Sequence, residues 1–397
     1  MRTPVRHART EVAIVGAGPA GLLAAHLLRL QGIESVVVEA RSRSYILGRV
    51  RAGILEQPVV DLLHEVGLGE RLARESMTHD GVQLAFEGEL HRIDLAALTG
   101  RRVTVYGQQE IAKDLLAAHE AGGQRIVFEV SEVRLDELTD GPVVSYEHAG
   151  VRHELRCEVV VGADGSHGVS RSAVPDARPA TRSHDIAWYG ILAECAPASD
   201  ELVYARHPEG FALHSMRTPR ITRQYLQVPA GTSVSDLSDA EVWSRLRRRL
   251  ESPRVRLAEG PIIERAVAPL RGLVMDRMRH GRLLLAGDAA HIVPPTGAKG
   301  LNLAVGDVVV LSRAVAALLR RGDATAFERY TEDALGRVWR AAHFSWWMTT
   351  MLHRIEGDAF EAGLQLARLR EVTGSVAAAT TFAENYTGLP FACGWEG

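Results

Sequence analysis

The chain has 397 residues, with 46 basic and 49 acidic side chains and a formal net charge of −3. This near balance gives no support for a nucleic acid or an acidic membrane surface as a partner. The length is enough for two interleaved domains and a terminal helical region around a large core.

Cysteine usage and the lack of targeting segments narrow the class further. Cys157, Cys195 and Cys393 are odd in number and far apart, which favours a reducing cytoplasm over a disulfide framework. No Cys/His spacing indicates a metal site. The basic N-terminus lacks the apolar stretch of a signal peptide, and no apolar run is read as a membrane span.

A glycine-rich turn, residues 16–21, joins the first apolar strand to an apolar helix. Gly16 permits the tight turn, Gly18 lets the backbone approach a pyrophosphate, and Gly21 lets helix and strand pack closely. The next strand ends in Glu39, where a carboxylate can accept hydrogen bonds from an adenosine ribose. The pattern predicts a dinucleotide site.

Two later segments repeat the passage from a buried strand into a polar turn. Residues 159–171 run from an apolar strand into Gly-Ala-Asp-Gly and a basic helix start. Residues 283–302 run into Gly-Asp at Asp288, then a Pro-Pro-Thr-Gly turn and Lys299 before an apolar helix. Such corners suit polyol hydroxyls and electron-rich ring edges. Three motifs spread over most of the chain favour FAD, which needs contacts far from its adenosine end.

The remaining periodicity predicts an α/β fold with an inserted antiparallel sheet. Helical spacing covers 58–74 and 110–121, and the chain after residue 302 is mostly helical to about residue 371. Alternating segments predict strands at 82–93, 103–106 and 143–146 and four more between 186 and 228. The predicted division is an FAD-binding Rossmann-like domain of glutathione-reductase type (1–80, 101–180 and 270–330), a substrate-binding sheet domain (81–100 and 181–269) and a C-terminal helical region (331–397).

Three polar residues of the inserted sheet predict a binding site for a carboxylate. Ser215 and Arg217 are two residues apart on one strand, so their side chains are expected on the same face, and Tyr225 is on a neighbouring strand. An arginine fork with two hydroxyl donors is a carboxylate clamp.

The three motifs, together with segments 48–56, 104–108 and 384–390, resemble the class A flavoprotein aromatic hydroxylases, in particular those that act on 4-hydroxybenzoate. The resemblance covers nearly the full chain. It implies an FAD enzyme without a separate nicotinamide domain that uses NADPH or NADH and O₂. The implied reaction converts 4-hydroxybenzoate to 3,4-dihydroxybenzoate through a flavin C4a-hydroperoxide, in a homodimer.

The resemblance implies a set of FAD contacts that extends along the whole chain. Glu39 would hold the adenosine ribose, Arg51 the pyrophosphate region, and Gln108 and Asp288 the ribityl-pyrophosphate part. The remaining positions implied near the flavin are Arg49, Arg223, Lys299, Gly300, Leu301 and Asn302, with Arg223 beside a ring that moves between two positions.

The resemblance also implies a proton path from the substrate phenol. Tyr204 and the Pro295 carbonyl would contact the phenol oxygen, and Tyr386 would stand behind Tyr204. His79 would connect the tyrosine pair to solvent, and its reference pKa of about 6.5 suits a proton shuttle. A free phenol has a pKa of about 10, so the site must favour the phenolate.

The coenzyme segment departs from the pattern of NADPH-using members. Ala40 stands where those members have an arginine, while Arg41, Arg43 and Tyr45 keep the segment basic. Arg49, His167 and Arg271 remain for the nicotinamide pyrophosphate. We expect the chain to accept both NADH and NADPH.

Three other functions are compatible with parts of this pattern. A sister hydroxylase of a substituted 4-hydroxybenzoate, such as a 3-amino or 3-hydroxy analogue, would share the clamp. A flavin-dependent reductase or halogenase would have no use for the tyrosine pair. A flavin-binding sensor of aromatic acids needs the clamp but no proton exit, so Tyr204, Tyr386 and His79 argue against it.

Overall fold

The computed structural model describes residues 5–48, 53–355 and 359–395. Arg49 and Arg51, both predicted to contact the cofactor, lie outside the described residues. Strands and helices are numbered below in chain order.

A six-stranded sheet brings the three predicted motifs together. In spatial order its strands are β19 (Arg279–His280), β20 (Leu283–Leu285), β13 (Val159–Gly162), β2 (Val12–Val15), β3 (Ser35–Val38) and β9 (Arg125–Val127). All neighbours are parallel except β19 and β20. Strands β2, β13 and β20 are adjacent, so their carboxyl ends place the three polar turns side by side, where open α/β sheets bind ligands.

The helices of the described residues pack on this sheet, on the larger sheet described below and on one another. They are α1 (Pro19–Leu30), α2 (Arg43–Gly48), α3 (Gln57–Glu65), α4 (Gly69–Glu75), α5 (Leu95–Thr99), α6 (Gln108–Ala121), α7 (Asp239–Leu250), α8 (Gly300–Arg321), α9 (Thr325–Glu328), α10 (Tyr330–Leu352), α11 (Ala359–Gly374) and α12 (Val376–Thr387). Helix α1 packs against α8 and α6.

Helix α8 corrects the expectation that no segment has the length and composition of a membrane span. It is long and apolar enough to cross a bilayer by those two criteria. Most of its apolar stretch is buried against the rest of the chain, as in the core helix of a globular domain.

An eight-stranded sheet forms the second layer. Its spatial order is β21 (His291–Ile292), β18 (Ile262–Val274), β14 (Ala180–Glu194), β17 (Ile221–Pro229), β16 (Ala212–Thr218), β15 (Val203–Ala205), β6 (Gly81–Phe86) and β7 (Glu89–Asp94). The predicted inserted sheet is therefore present. It is not wholly antiparallel, because β15 pairs with β6 in parallel.

The two faces of this sheet have different partners. Tyr204 pairs with Leu213, and Leu213 pairs with Tyr225, so these three side chains share one face. That face lies in a core cluster with α10, α11 and α12. The opposite face packs on α7 through Trp243 and Leu246.

Two smaller sheets complete the architecture. One contains β1 (Val5–Arg9), β12 (Val151–Arg156), β11 (Val143–His148) and β10 (Ser131–Asp136), and the other contains β4 (Ile54–Glu56), β8 (Val103–Val105) and β5 (Met77–His79). Pairing of β4 with β8 joins two segments, 48–56 and 104–108, that the sequence separates. The fold is the predicted α/β class with an inserted sheet and C-terminal helices.

Candidate active site

The glycines of the first motif meet two different requirements. Gly16 has φ +105°, and a Cβ there would lie 2.4 Å from the Ala163 carbonyl oxygen. A Cβ on Gly21 would lie 1.9 Å from the Gly16 oxygen, so close packing requires both glycines. A Cβ on Gly18 would meet nothing within 4 Å. Gly18 therefore faces open space at the N-terminus of α1, which suits a pyrophosphate.

Glu39 follows β3 and is held by backbone donors. Its Oε2 accepts from the Ala17 amide and its Oε1 from the Arg41 amide, both at 2.7 Å. A carboxylate has about four lone-pair positions, so capacity remains for ribose hydroxyls.

Arg171 joins the second motif to the third. Its Nε donates to the Ala289 carbonyl at 2.9 Å, and its Nη2 donates to the Asp288 carbonyl. Within the second motif, Asp164 Oδ2 accepts from the amide and the hydroxyl of Ser170, each at 2.9 Å. The side chain of Asp288 stays partly exposed at this junction, where a ribityl chain would pass.

A buried ion pair supports the Gly-Asp turn of the third motif. Asp307 Oδ2, on α8, accepts from the Gly287 amide at 2.8 Å and lies 2.6 Å from His291 Nε2. Burial alone would lower the pKa of His291, but the Asp307 carboxylate outweighs burial and raises it. Neither residue was predicted, because nothing in the local sequence links them.

At the N-terminus of α8, Gly300 faces open space, whereas the side chain of Asn302 is hydrogen-bonded. A Cβ on Gly300 would meet nothing within 4 Å, and Leu301 beside it is only partly buried. Asn302 is buried, and its amide is used to hold β4: Nδ2 donates to the Ile54 carbonyl and Oδ1 accepts from the Glu56 amide, each at 2.9 Å. Gln108 begins α6 at the end of β8 and is partly buried.

Lys299 is buried in a charge cluster that the sequence did not predict. Its Nζ lies 2.7 Å from Glu56 Oε1 and also donates to the Asn385 carbonyl. Arg337 Nη2 lies 3.2 Å from the other oxygen of Glu56. Burial lowers the pKa of Lys299, and Glu56 opposes that shift. The charge of Lys299 is thus compensated within the protein.

The predicted tyrosine pair is formed on the inner face of the large sheet. Tyr204 Oη and Tyr386 Oη are 2.8 Å apart, and both side chains are buried. Burial raises the pKa of both phenols, so both stay protonated at neutral pH. A protonated Tyr204 can donate a hydrogen bond to a substrate phenolate.

The predicted carboxylate clamp lies on the same face, but its geometry differs from simple alternation. The β16–β17 register shifts between Met216 and Thr218, so Arg217 sits at an irregularity rather than in a regular ladder. Its Nε is buried without a partner among the described residues. Burial lowers the pKa of Arg217, and the nearby Tyr225 opposes the shift. Ser215 Oγ donates to the Arg223 carbonyl at 3.2 Å.

Arg223 is buried beside the clamp. Its guanidinium lies 5.5 Å from the centre of the Tyr225 ring, and its Nη1 lies 3.0 Å from Glu264 Oε1. It therefore adds positive charge to the clamp region while keeping a carboxylate partner of its own.

Pro295 and His79 fit the predicted proton path less directly. The Pro295 carbonyl accepts from the Ala298 amide at 2.9 Å, which leaves one lone pair for a ligand. His79 is buried on β5, and no hydrogen bond joins it to Tyr386; its Nδ1 has no partner among the described residues. Burial lowers the pKa of His79, so it is neutral at pH 7 and a weaker proton acceptor than a free imidazole.

Apart from Arg49, which lies outside the described residues, the residues predicted for the nicotinamide coenzyme are exposed or partly exposed. The Arg41 guanidinium lies 5.3 Å from the centre of the Tyr45 ring, and Arg43 Nη2 lies 2.6 Å from Glu120 Oε1. His167 is exposed and Arg271 is partly exposed.

A large cleft of about 1160 Å³ opens elsewhere, between α10 and α11. Its walls include Arg206, Trp346, Arg354 and Arg368, and no predicted site residue within the described part of the chain lines it. The polar turns and the tyrosine pair, not this cleft, therefore define the candidate site.

Comparison with known proteins identifies the family of the chain. The family described as FAD binding domain matches residues 9–345. The chain is 45% identical to a p-hydroxybenzoate hydroxylase of Acinetobacter baylyi over 96% of each chain. It is 28% identical to a 3-amino-4-hydroxybenzoate 2-monooxygenase of Streptomyces platensis, over 83% of this chain and 85% of that one.

A solved structure shows the same fold. The crystal structure of p-nitrophenol 4-monooxygenase from Pseudomonas putida superposes with a TM-score of 0.81 at 20% identity, covering 96% of this chain and 99% of that one.

Proposed function

The chain belongs to the FAD-binding family of flavoprotein aromatic hydroxylases and is an FAD-dependent monooxygenase, and we propose that it hydroxylates 4-hydroxybenzoate at the 3-position. The product is 3,4-dihydroxybenzoate, and NAD(P)H and O₂ are the co-substrates. The observation that carries this proposal is one sheet face on which Tyr204 meets Tyr386 of α12 at 2.8 Å between the hydroxyls and a buried guanidinium nitrogen has no partner among the described residues.

The polar turns are suited to FAD. Open space at Gly18 and Gly300 adjoins two helix N-termini, and Glu39 is fixed where a ribose would lie. Bound FAD supplies the redox and oxygen-activating chemistry. Gln108, Asp288 and Leu301 are partly exposed, which leaves them available for contact with the cofactor. Lys299, whose charge is compensated by Glu56, is assigned a role in holding the start of α8 in place.

The clamp orients the substrate by its carboxylate. Arg217 offers an Nε–H without a partner among the described residues, and the Tyr225 hydroxyl is a second donor on the same face. Ser215 can donate to a carboxylate only when its hydroxyl rotates away from the Arg223 carbonyl. A charge-assisted arginine fork fixes direction as well as distance, so the ring points its phenol toward Tyr204.

The residues around the substrate phenol favour its phenolate form, which raises the electron density of the substrate ring. Tyr204 donates a hydrogen bond to the phenolate oxygen, since burial keeps its own proton on Oη. The proton of the phenol passes through Tyr204 Oη to Tyr386 Oη along their hydrogen bond. Transfer onward to His79 needs a water or a side-chain movement, because no direct bond joins His79 to Tyr386.

Apolar walls exclude water from this step. Trp188, Phe211 and Leu213 are buried around Tyr204 in the same core cluster. A dry site strengthens the hydrogen bond from Tyr204 and limits wasteful loss of the oxidising equivalent.

A substituted substrate is the second candidate. A relative 28% identical to this chain is named for 3-amino-4-hydroxybenzoate, which would use the same carboxylate clamp. Tyr386 argues against the third candidate, a sensor without turnover, because a sensor has no use for a proton acceptor behind Tyr204.

Coenzyme use, location and assembly complete the proposal. The Arg43–Glu120 ion pair offsets one of the two arginines that would attract a 2′-phosphate, which supports use of both NADH and NADPH. Three free cysteines support a reducing, cytoplasmic setting. A homodimer is proposed from the family resemblance alone.

Ligand titration of the FAD-loaded protein tests the substrate, with flavin absorbance as the readout. We expect 4-hydroxybenzoate to bind at least about tenfold more tightly than 4-hydroxybenzamide, which lacks the charge for the clamp. Equal affinity for acid and amide would contradict the clamp. Tighter binding and better-coupled turnover of 3-amino-4-hydroxybenzoate would favour the second candidate.

A further inference from the structure

We infer that a buried polar stripe on α10 positions both ends of the substrate pocket. The stripe consists of Ser345 and Thr349 on the helix and His353 directly after it, and none of the three has exposed surface. His353 acts on the carboxylate end through Trp188, and Thr349 acts on the phenol end through Thr296. The inference rests on the proposed function for the identity of the two ends.

The hydrogen bonds of His353 define its tautomer. Its Nδ1 donates to the Thr349 carbonyl at 3.0 Å, so its Nε2 carries the lone pair that accepts from Trp188 Nε1 at 2.6 Å. Burial lowers the pKa of His353 to about 3, which keeps this acceptor available at any working pH. The imidazole also stacks on Phe211, with ring centres 4.2 Å apart.

Trp188, which His353 holds by this hydrogen bond, packs against the clamp residue Tyr225. Its ring centre lies 4.7 Å from that of Tyr225, on the face that the clamp occupies. A Cβ on Gly190 would lie 2.8 Å from Tyr225 Cε1, so the tyrosine ring rests directly on the backbone of β14. Tyr225 is held between Gly190 and Trp188, and a shift of Trp188 moves the Tyr225 hydroxyl.

Thr349 supports the turn at the phenol end. Its Oγ1 donates to the Ser345 carbonyl at 2.7 Å and therefore accepts from Thr296 Oγ1 at 2.8 Å. A Cβ on Gly297 would lie 2.7 Å from Ser345 Oγ, so the turn lies flat on the helix. Ala298 has φ +54°, a conformation that needs support from its surroundings.

Helix α10 therefore fixes the positions of the carboxylate contact and the phenol contact, which come from distant parts of the chain. The Pro295 carbonyl is placed by Thr296 and the Tyr225 hydroxyl by Trp188, and both supports end on α10. The spacing between the carboxylate and phenol contacts is then a property of the helix, which selects aromatic acids of one length.

Two substitutions separate the two ends. His353→Phe keeps an aromatic ring on Phe211 but removes the acceptor for Trp188. We expect it to raise the Kd of 4-hydroxybenzoate about tenfold and that of 4-hydroxybenzamide less than about twofold. Thr349→Val keeps the side-chain shape but removes both hydrogen bonds. We expect a Kd within about twofold of wild type and less than about half the wild-type yield of 3,4-dihydroxybenzoate per NAD(P)H.

Conservative variants and a matched control test whether the effects come from the hydrogen bonds that the substitutions remove. His353→Gln retains an acceptor and Thr349→Ser retains the hydroxyl, so each should restore its own property. Thr373→Val on α11 removes the same kind of bond, a hydroxyl donating to the carbonyl four residues earlier at 2.9 Å, without contact to the pocket. It should leave both Kd and product yield unchanged.

A signal independent of turnover comes from the Trp188 indole N–H in NMR of the FAD-loaded protein, assigned by its loss in Trp188→Phe. His353→Phe should move this resonance, and His353→Gln should leave it near its wild-type position. The inference is overturned if the resonance does not move, or if both disruptive variants match Thr373→Val in Kd and product yield. If the proposed function is wrong, the wild type itself neither binds 4-hydroxybenzoate nor is stimulated by it. The indole resonance then still decides whether His353 holds Trp188.

Discussion

At the scale of single residues, the candidate site keeps several polar groups buried, each in one protonation state at neutral pH. Tyr204 and Tyr386 are held protonated by burial, while His79 is held neutral. The sequence indicated these residue types through the family resemblance. It did not indicate that Arg217 sits at a register shift, because a β-bulge depends on the partner strand.

Tyr204→Phe should separate flavin reduction from hydroxylation. The variant loses the donor to the phenolate but leaves the cofactor region intact, so we expect NAD(P)H oxidation to persist while hydroxylation slows by about 10²-fold or more. Stopped-flow reduction and product analysis measure the two steps. Tyr386→Phe, which keeps the Tyr204 hydroxyl, is the matched control and should have the smaller effect; full coupling in Tyr204→Phe would remove Tyr204 from the chemistry.

Arg217→Lys should weaken substrate binding although it keeps the positive charge. An ammonium cannot reproduce the planar fork, so we expect a loss of about 2 kcal/mol in binding free energy for 4-hydroxybenzoate. Flavin absorbance titration gives the Kd. An unchanged Kd would show that the carboxylate is bound elsewhere.

At the scale of secondary-structure elements, the sequence predicts those elements whose residue pattern lies within one short segment. The strand–turn–helix around Gly16, Gly18 and Gly21 was predicted because the three glycines lie in one short turn between an apolar strand and an apolar helix. Only the steric reason for Gly21, its contact with Gly16, is local; Gly16 approaches Ala163 at the end of a strand distant in the sequence, and Gly18 faces open space. The parallel pairing of β15 with β6 was missed, since Tyr204 and Leu84 are paired across more than a hundred residues. Nothing in either segment specifies the direction of that pairing.

Gly18→Ala tests whether a ligand approaches the N-terminus of α1. The added methyl group meets no protein atom within 4 Å, so thermal stability of the apoprotein should be unchanged. FAD affinity should fall about tenfold or more, because the methyl group occupies the approach of the pyrophosphate. Gly336→Ala on α10, equally free of contacts, is the control and should bind FAD as wild type does. Wild-type FAD affinity in Gly18→Ala would contradict the assigned site.

Helix α1 also carries a prediction for acid stability. His26 Nε2 donates to the Val66 carbonyl at 2.9 Å, and Arg29 Nη2 lies 3.4 Å from Nδ1, so the native imidazole is neutral. Burial lowers the pKa of His26. In the unfolded chain His26 takes up a proton below its pKa of about 6.5, whereas burial disfavours that protonation in the native state. The free energy of unfolding therefore falls as the pH falls.

His26→Gln keeps a donor for Val66 but removes this titration. Between pH 6.5 and 5 the free energy of unfolding should depend less steeply on pH in the variant, by up to about 1.4 kcal/mol per pH unit. Urea unfolding at fixed FAD concentration measures the slope. His7→Gln at the exposed surface is the control, and equal slopes in wild type and His26→Gln would contradict the burial argument.

At the scale of the whole molecule, the site forms only when distant segments meet. Lys299 stood out in the sequence as one of two lysines, but its partner Glu56 is 243 residues away. His291–Asp307 and Trp188–His353 are further pairs that the tertiary structure alone brings together. The sequence could predict which segments form the cofactor region and the substrate face, and these stay predictions. The buried contacts between the segments could be found only from the structure.

The most direct test of the central claim is oxidation of NADH and NADPH by the FAD-loaded protein with and without 4-hydroxybenzoate, following 3,4-dihydroxybenzoate and hydrogen peroxide together. We predict substrate-stimulated oxidation with both coenzymes, at a kcat/KM ratio below about 100, which corresponds to about 2.7 kcal/mol. Catechol product should form in nearly one-to-one ratio to coenzyme. Oxidation that 4-hydroxybenzoate does not stimulate, or that yields peroxide alone, would contradict the assignment of this substrate.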